Sequence, residues 1–261
     1  MPGRNQKEAK RELIAAELEI TEARGIYRLT YEGMVIRTSC GAEVAHSSQP
    51  LLRQMIAEFD IEGSLTLRGQ VIVSPRFFSA YAIFGIQKEF VDDRKEGLTV
   101  DLERILFADR ILHSCAGPEV TEQMARWSPA LQFLERNGQK LPSLPQSMTW
   151  RKPTMKFRRE IVSNGFKESF VDFVLVQYQC LPPEKRAVVT YLNALHRGPV
   201  LFPLVLAHGF CTADEYASGV MAAECSLAKV FGMTAKAHRK AFIALRDDAR
   251  TALEYIRHTS Q

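Results

Sequence analysis

The sequence predicts an α+β protein: a small N-terminal antiparallel β unit followed by a larger all-α domain. Three observations carry this expectation. Between Leu18 and His46, short β-prone runs alternate with glycine-containing turns. Beyond about residue 99, apolar residues recur at intervals of three and four instead. Between the two regions stands a polar break, Lys95-Glu96-Gly97. The expected division is therefore residues 1–98, β-rich with one or two helices, and residues 99–261, helical.

Residues 1–12 read as a polar, partly helical arm. LEITEA, IYRLTY, MVIRTS and AEVAHS follow, separated by Gly25, Glu32-Gly33 and Cys40-Gly41, and predict an antiparallel meander. Leu18 and Ile20, with Ile26, Leu29 and Tyr31, supply part of its apolar face. Alternation is imperfect, so the register stays open. Ser47 or Ser48 with Pro50 opens a helix whose Leu51, Leu52, Met55, Ile56 and Phe59 share one side. LTLRGQVIVSP predicts a further strand or strand pair around Gly69. The run FFSAYAIFGIQKEF reads as helical, with Phe77, Phe78, Tyr81, Phe84 and Phe90 filling a core rather than boxing a ligand.

In the second region, Leu102, Ile105 and Leu106 begin a helix that ends near His113. Pro118 starts another, in which Val120, Met124, Trp127, Leu131 and Leu134 keep the helical spacing until Asn137-Gly138. Pro129 falls inside it and predicts a kink or a break. Residues 141–160 are a loop rich in Pro, Ser and bases, with Arg151, Lys152, Lys156, Arg158 and Arg159 on a solvated connection. Helices follow over 160–180, with Phe166, Phe170, Phe173 and Val174 apolar, and over 183–196. A buried segment spans 199–207. The final helix, 234–258, sets Phe242, Leu245, Ala249, Leu253 and Ile256 on one side and six Lys or Arg residues on the others.

The stretch from Leu206 to Gly232 holds the polar anomaly. Gly209 signals a turn, and Thr212 before Ala213-Asp214-Glu215 reads as an N-cap with acids in the first turn. Tyr216, Val220, Ala223, Leu227 and Val230 then mark one buried face, and Gly232 stops the helix. Glu224 is set among Val220, Met221, Leu227 and Ala228. An unpaired carboxylate there is costly. It either reaches water, pairs with a base such as Lys229, or serves as an anchor for a partner.

This helix resembles the C-terminal signature of the ATP12-type mitochondrial assembly chaperones, which hold the alpha subunit of the F1 sector of ATP synthase. In that family further acids flank the central Glu, an aromatic and a Gln follow, and Trp-Gly closes the motif. Glu224 and Gly232 match and Phe231 stands in for the Trp; Ala223, Cys225, Ser226 and Leu227 differ. The N-terminal run of the family is similar to residues 31–60, with Arg37-Thr38, Gly41 and Ile56-Ala57-Glu58-Phe59 in place and Ser39 for the usual Pro. Its central segment is similar to residues 102–141, including Trp127, Pro129, Leu131 and Leu134. Residues 61–98 lack the family's Met-Pro-Leu element.

The resemblance spans roughly Gly25–Asp60 and Leu102–Gly232. It implies a non-catalytic chaperone of the mitochondrial matrix that shields the unassembled alpha subunit until beta arrives. Glu224, Leu227, Phe231 and Gly232 would be its partner-binding residues. The alternative is a divergent relative serving as a permanent structural subunit of a larger mitochondrial complex. Loss of the flanking acids and of the Trp favours that alternative.

Other function classes find no support in the residues. There is no G-x-S-x-G, no phosphate-cradling glycine loop and no H-E-x-x-H. The six histidines show no ligand spacing; His196 and His208, flanking the apolar segment, read as capping or core-edge residues. Asp92-Asp93 and Asp247-Asp248 read as solvated faces. No catalytic residue, cofactor or metal is expected. The net charge of +4 is mild and spread along the chain, which fits an acidic partner weakly and does not indicate nucleic acid. The best apolar run, Pro199–Ala207, is too short to span a bilayer. The first residues lack a signal-peptide core and are too acidic for a transit peptide, so a targeting piece is expected to be absent or removed. Five cysteines, an odd number without C-x-x-C, fit reduced thiols. Thiol titration of denatured, unreduced protein should therefore count five free thiols per chain, and a disulfide found there would overturn the assignment.

Overall fold

The β-prone runs assemble around one central strand, β3. In the computed structural model, which describes residues 11–13, 17–62, 65–68, 71–73, 80–92, 119–140, 168–196, 200–231 and 234–260, the chain begins with β1 (Arg11–Leu13), β2 (Leu18–Ala23) and β3 (Ile26–Tyr31). β2 and β3 pair antiparallel from Leu18 opposite Tyr31 to Ala23 opposite Ile26. Arg24 and Gly25 turn this hairpin with φ of 55° and 73°, and Glu32 and Gly33 turn the next with 48° and 74°. Both two-residue loops have positive φ at both positions, the condition for the turn whose twist matches the strands. Glycine at the second position is the sequence signal for it.

The other edge of β3 is shared. β4 (Met34–Val35) pairs with Thr30 and Tyr31, and β5 (Ala45–His46) pairs with Tyr27 and Arg28. A simple meander would set β5 beside β4. Residues 36–44 instead form a small excursion, closed by the Arg37–Glu43 bridge and by the Thr38 N–H donating to the Ala42 carbonyl at 2.8 Å. Leu29, Thr30 and Tyr31 are buried in succession, so this half of β3 is covered on both faces. That explains the missing alternation.

A second antiparallel sheet has the order β1-β6-β7, with β6 at Leu65–Arg68 and β7 at Val71–Val73. This is the strand pair expected around Gly69. Arg11 and Glu12, expected in a partly helical arm, are instead strand residues paired with Leu67 and Thr66. Their partner strand is distant in sequence, beyond the reach of local pattern.

α1 (Gln49–Glu62) packs on β2, β3 and β5 and on α2 (Ala80–Ile86), which continues as a π-helical turn over Gln87–Asp92. Leu51, Leu52, Met55 and Phe59 of α1 are all buried, and the Phe59 and Tyr81 rings meet edge to face at 5.5 Å. Glu58 Oε2 accepts the Ala80 N–H at 2.6 Å, so α1 supplies an acceptor for an otherwise orphaned donor at the start of α2. The chain divides into two compact units. One comprises Met1–Asp93 with Glu254–Gln261, where the Tyr255 hydroxyl donates to Gln87 Oε1 at 2.6 Å; the other is Arg94–Leu253.

The second unit is helical among the described residues: α3 (Glu119–Arg126), α4 (Ser128–Arg136), α5 (Glu168–Gln179), α6 (Pro183–His196), α7 (Leu201–Ala207), α8 (Ala213–Phe231) and α9 (Ala235–Thr259). The last residues of α9, from Glu254 on, count with the first unit. The expected break falls between α3 and α4 at Trp127, with Pro129 in the first turn of α4, where its missing N–H costs nothing. Residues Leu201–Ala207 are all buried, and α7 touches α4, α5, α6 and α8. Asp248, expected on a solvated face, is buried, whereas Asp247 is exposed. In α9 the buried positions are Leu245, Asp248, Ala249, Ala252 and Tyr255, so the inward stripe is centred one residue away from the pattern of large apolar side chains. The expected helix near 102–113, the loop 141–160, Lys95-Glu96-Gly97, Phe77, Phe78, Cys115 and Phe166 lie outside the described residues.

Phe133 lies at the centre of an aromatic cluster, 5.2 Å from the rings of both His208 and Phe210 and 6.1 Å from Phe173. His208 caps the C-terminus of α7 with its backbone, as the sequence suggested. Burial holds its pKa below the ordinary value; a hydrogen bond to the Gln177 backbone opposes this, and nearby Lys185 reinforces it. Folding therefore favours neutral His208. That stabilisation is full above the unfolded pKa of about 6.5 and is lost as the pH falls through it toward the lower folded value. Between pH 7.5 and 5 the melting temperature of His208→Gln should fall less steeply than that of the natural protein. Parallel curves would remove His208 from the acid response.

Candidate functional site

α8 is entered through two linked caps. At the end of α7, Gly209 has φ of 79°; its N–H reaches the Leu206 carbonyl at 2.9 Å, and the Phe210 N–H reaches that of Val205 at 3.0 Å. These two bonds make a Schellman closure. Three residues later Thr212 opens α8. Its Oγ1 accepts the Glu215 N–H at 3.2 Å, while Glu215 Oε2 accepts the Thr212 N–H at 2.8 Å. This is a reciprocal capping box, and removing such a cap costs about 1 kcal/mol.

The first half of α8 is then fixed by its packing. Tyr216, Ala217, Val220 and Met221 are buried. Gly219 faces Phe202 of α7 so closely that a Cβ there would lie 2.1 Å from the ring. Two side-chain donors reach the main chain of α8. Trp127, at the α3–α4 junction, donates from Nε1 to the Gly219 carbonyl at 3.2 Å. Gln123 of α3 donates from Nε2 to the Ala222 carbonyl at 3.3 Å. Trp127 is fully buried and Gln123 is 5% exposed, so each donor needs a partner inside the protein.

Sequence reasoning named Trp127 as part of an apolar stripe and missed Gln123 and Gly219. Gly219 did carry a signal: glycine inside a helix costs about 1 kcal/mol relative to alanine, so a well-formed helix that keeps one has a neighbour needing the space. Gln123 carried none, because an amide on a helix is an ordinary surface residue until a carbonyl is found opposite it.

The predicted partner-binding residues fall on the second half of the same helix. Glu224, Leu227 and Phe231 are α8 residues, and α8 ends at Phe231, next to Gly232. The side chains from 223 to 231, Lys229 and Cys225 among them, and Gly232 itself lie outside the described residues. The helix runs unbroken from the anchored half into the half bearing Glu224.

Among the described residues no three His, Cys, Asp or Glu side chains come together as a metal site. Cys211, at the α7–α8 link, is buried, and its thiol is pushed up to about 12 by burial and secondarily by Glu215. Cys40 and Cys180 are exposed free thiols. A shallow open depression of about 440 Å³ on α3 and α4 is lined by Met124, Leu131, Leu134 and Lys140 among others. No helix among the described residues is long and apolar enough to cross a membrane.

No protein-family profile matches the sequence, and no curated protein sequence matches it. Solved structures do. The chain is similar to Atp12 from Paracoccus denitrificans, with a TM-score of 0.62 over 94% of this chain and 96% of that one at 14% identity. A point mutant of P. denitrificans Atp12p gives 0.59 over 95% and 97%, also at 14% identity. The Atu1473 protein of Agrobacterium tumefaciens, a candidate chaperone, gives 0.61 over 95% and 87% at 17% identity. The fold is of the ATP12 type, in a sequence that has diverged far from these structures.

The Gly219–Phe202 contact generates a direct test. Gly219→Ala gains about 1 kcal/mol of helix propensity but forces a methyl into a buried ring, and overpacking costs about 1–3 kcal/mol or more. Thermal unfolding should show net destabilisation, partly relieved in the Gly219→Ala/Phe202→Leu double variant. A stabilised Gly219→Ala would contradict the contact.

Proposed function

We propose that this chain is a non-catalytic assembly chaperone that binds the unassembled alpha subunit of the ATP synthase F1 sector and shields its interface until alpha pairs with beta. The observation that carries the reading is the similarity to Atp12 along nearly the whole of both chains. A free alpha subunit presents apolar surface that its beta partner later covers, and such surface drives aggregation. A protein that covers it transiently needs a rigid scaffold, an apolar face and a few polar anchors, with no reactive centre. The second half of α8 carries residues of that kind. In the proposal Leu227 and Phe231 supply apolar contact, Gly232 ends the helix, and Glu224 supplies the polar anchor. The compartment belongs to the same proposal: the mitochondrial matrix, where free alpha subunit would be met.

Glu224→Gln keeps shape and removes charge. A charge-assisted hydrogen bond is worth on the order of 1.5–3 kcal/mol, so capture of purified alpha subunit should weaken roughly tenfold or more at an unchanged melting temperature. Lys229→Gln, on the same helix, is the control and should change little. Unaltered capture by Glu224→Gln would remove the anchor from the proposal. Purification of the tagged protein separates the reading from that of a permanent subunit: a chaperone travels with free alpha, a structural subunit with a stoichiometric large complex.

A further inference from the structure

We propose that Gln123 and Trp127 are positioning residues for the partner-binding half of α8; the inference rests on the functional reading above and deepens it. In an α-helix the carbonyls of Gly219 and Ala222 accept the N–H groups of residues 223 and 226. Here each also takes a second donor from outside the helix, Trp127 Nε1 at 3.2 Å and Gln123 Nε2 at 3.3 Å. The doubly used carbonyls are thus the ones whose intrahelical partners open the segment carrying Glu224. They stand three residues apart, on adjacent turns of one face, and their donors stand four apart on adjacent turns of the α3–α4 region.

Two directional contacts at different heights fix what apolar packing leaves free. Burial of Tyr216, Ala217 and Val220 holds α8 down, but the hydrophobic effect has no direction. It resists a slide along the axis or a rotation about it only through shape. A slip of one residue turns the helix by about 100° and would carry Glu224, two residues past Ala222, to another face. Hydrogen bonds to two successive carbonyls oppose that slip. Both donors are buried, so a displacement that breaks these bonds gives up directional contacts that water does not readily replace. Packing alone would be served by leucine or phenylalanine at these positions.

Trp127→Phe and Gln123→Met each remove one donor and largely keep the volume. Full-length variants would be compared by amide hydrogen exchange, thermal unfolding and capture of purified F1 alpha subunit. The expected result is about fivefold faster exchange in residues 223–231, with the amides of α6 and α7 unchanged, and a loss of capture of about the same factor. Unchanged exchange in 223–231 in both variants would overturn the proposal whatever happens to capture. So would an equal rise through α6, α7 and α8, which marks a general structural role, or loosened exchange with undiminished capture. Should Trp127→Phe fail to fold, Gln123→Met decides alone. Failure of the natural protein itself to capture alpha subunit counts against the functional reading instead, so the two failures are distinguishable.

Discussion

Burial of α7 is the constraint on which the helical unit depends. Its residues, Leu201–Ala207, have no polar side chain and are all buried. Each large apolar side chain so removed from water contributes about 1.5–3 kcal/mol, and the helix can be covered only if neighbours close on every side. α4, α5, α6 and α8 do so. The last carbonyls of such a helix have no partner within it and need donors from the chain that follows. The Schellman closure at Gly209 answers that need and delivers the chain directly to the Thr212–Glu215 capping box. The start of α8 is therefore a consequence of how α7 ends.

The same enclosure sets the distance between α7 and α8. Phe202 is fully buried and occupies the space that a side chain at 219 would need. The helices approach until main chain meets ring, and glycine is the residue that permits it. Close approach also exposes the Gly219 carbonyl to the Trp127 indole. One interior glycine thus serves the packing and the hydrogen bond together.

In the first unit the corresponding element is β3. Its neighbours on both edges and the coverage of Leu29, Thr30 and Tyr31 make it the strand around which the four-stranded sheet forms. Glu58 and Phe59 show how a short sequence run gains its meaning. Phe59 enters the core beside Tyr81, and Glu58 accepts the first N–H of α2. The Ile-Ala-Glu-Phe run is therefore a joint between α1 and α2, and its carboxylate has a structural task there.

The α+β class, the two glycine hairpins, the helix at 49–62, the break before Pro129, the helix at 183–196 and the Thr212 cap were legible in the sequence, because turn chemistry, capping and the period of apolar residues are local properties of the chain. The sharing of one β3 edge by β4 and β5, the strand at Arg11–Leu13 and the burial of Asp248 were not, because strand pairing and burial are decided between elements and not within them. The candidate site divides in the same way. Glu224 could be singled out on a helix because a carboxylate among apolar neighbours at helical spacing is visible in one dimension. Gln123 and Gly219 could be assigned only once the fold brought an amide to the Ala222 carbonyl and a ring to the Gly219 Cα. Hydrogen bonds and close contacts depend on distance and direction between elements, and local sequence patterns encode neither.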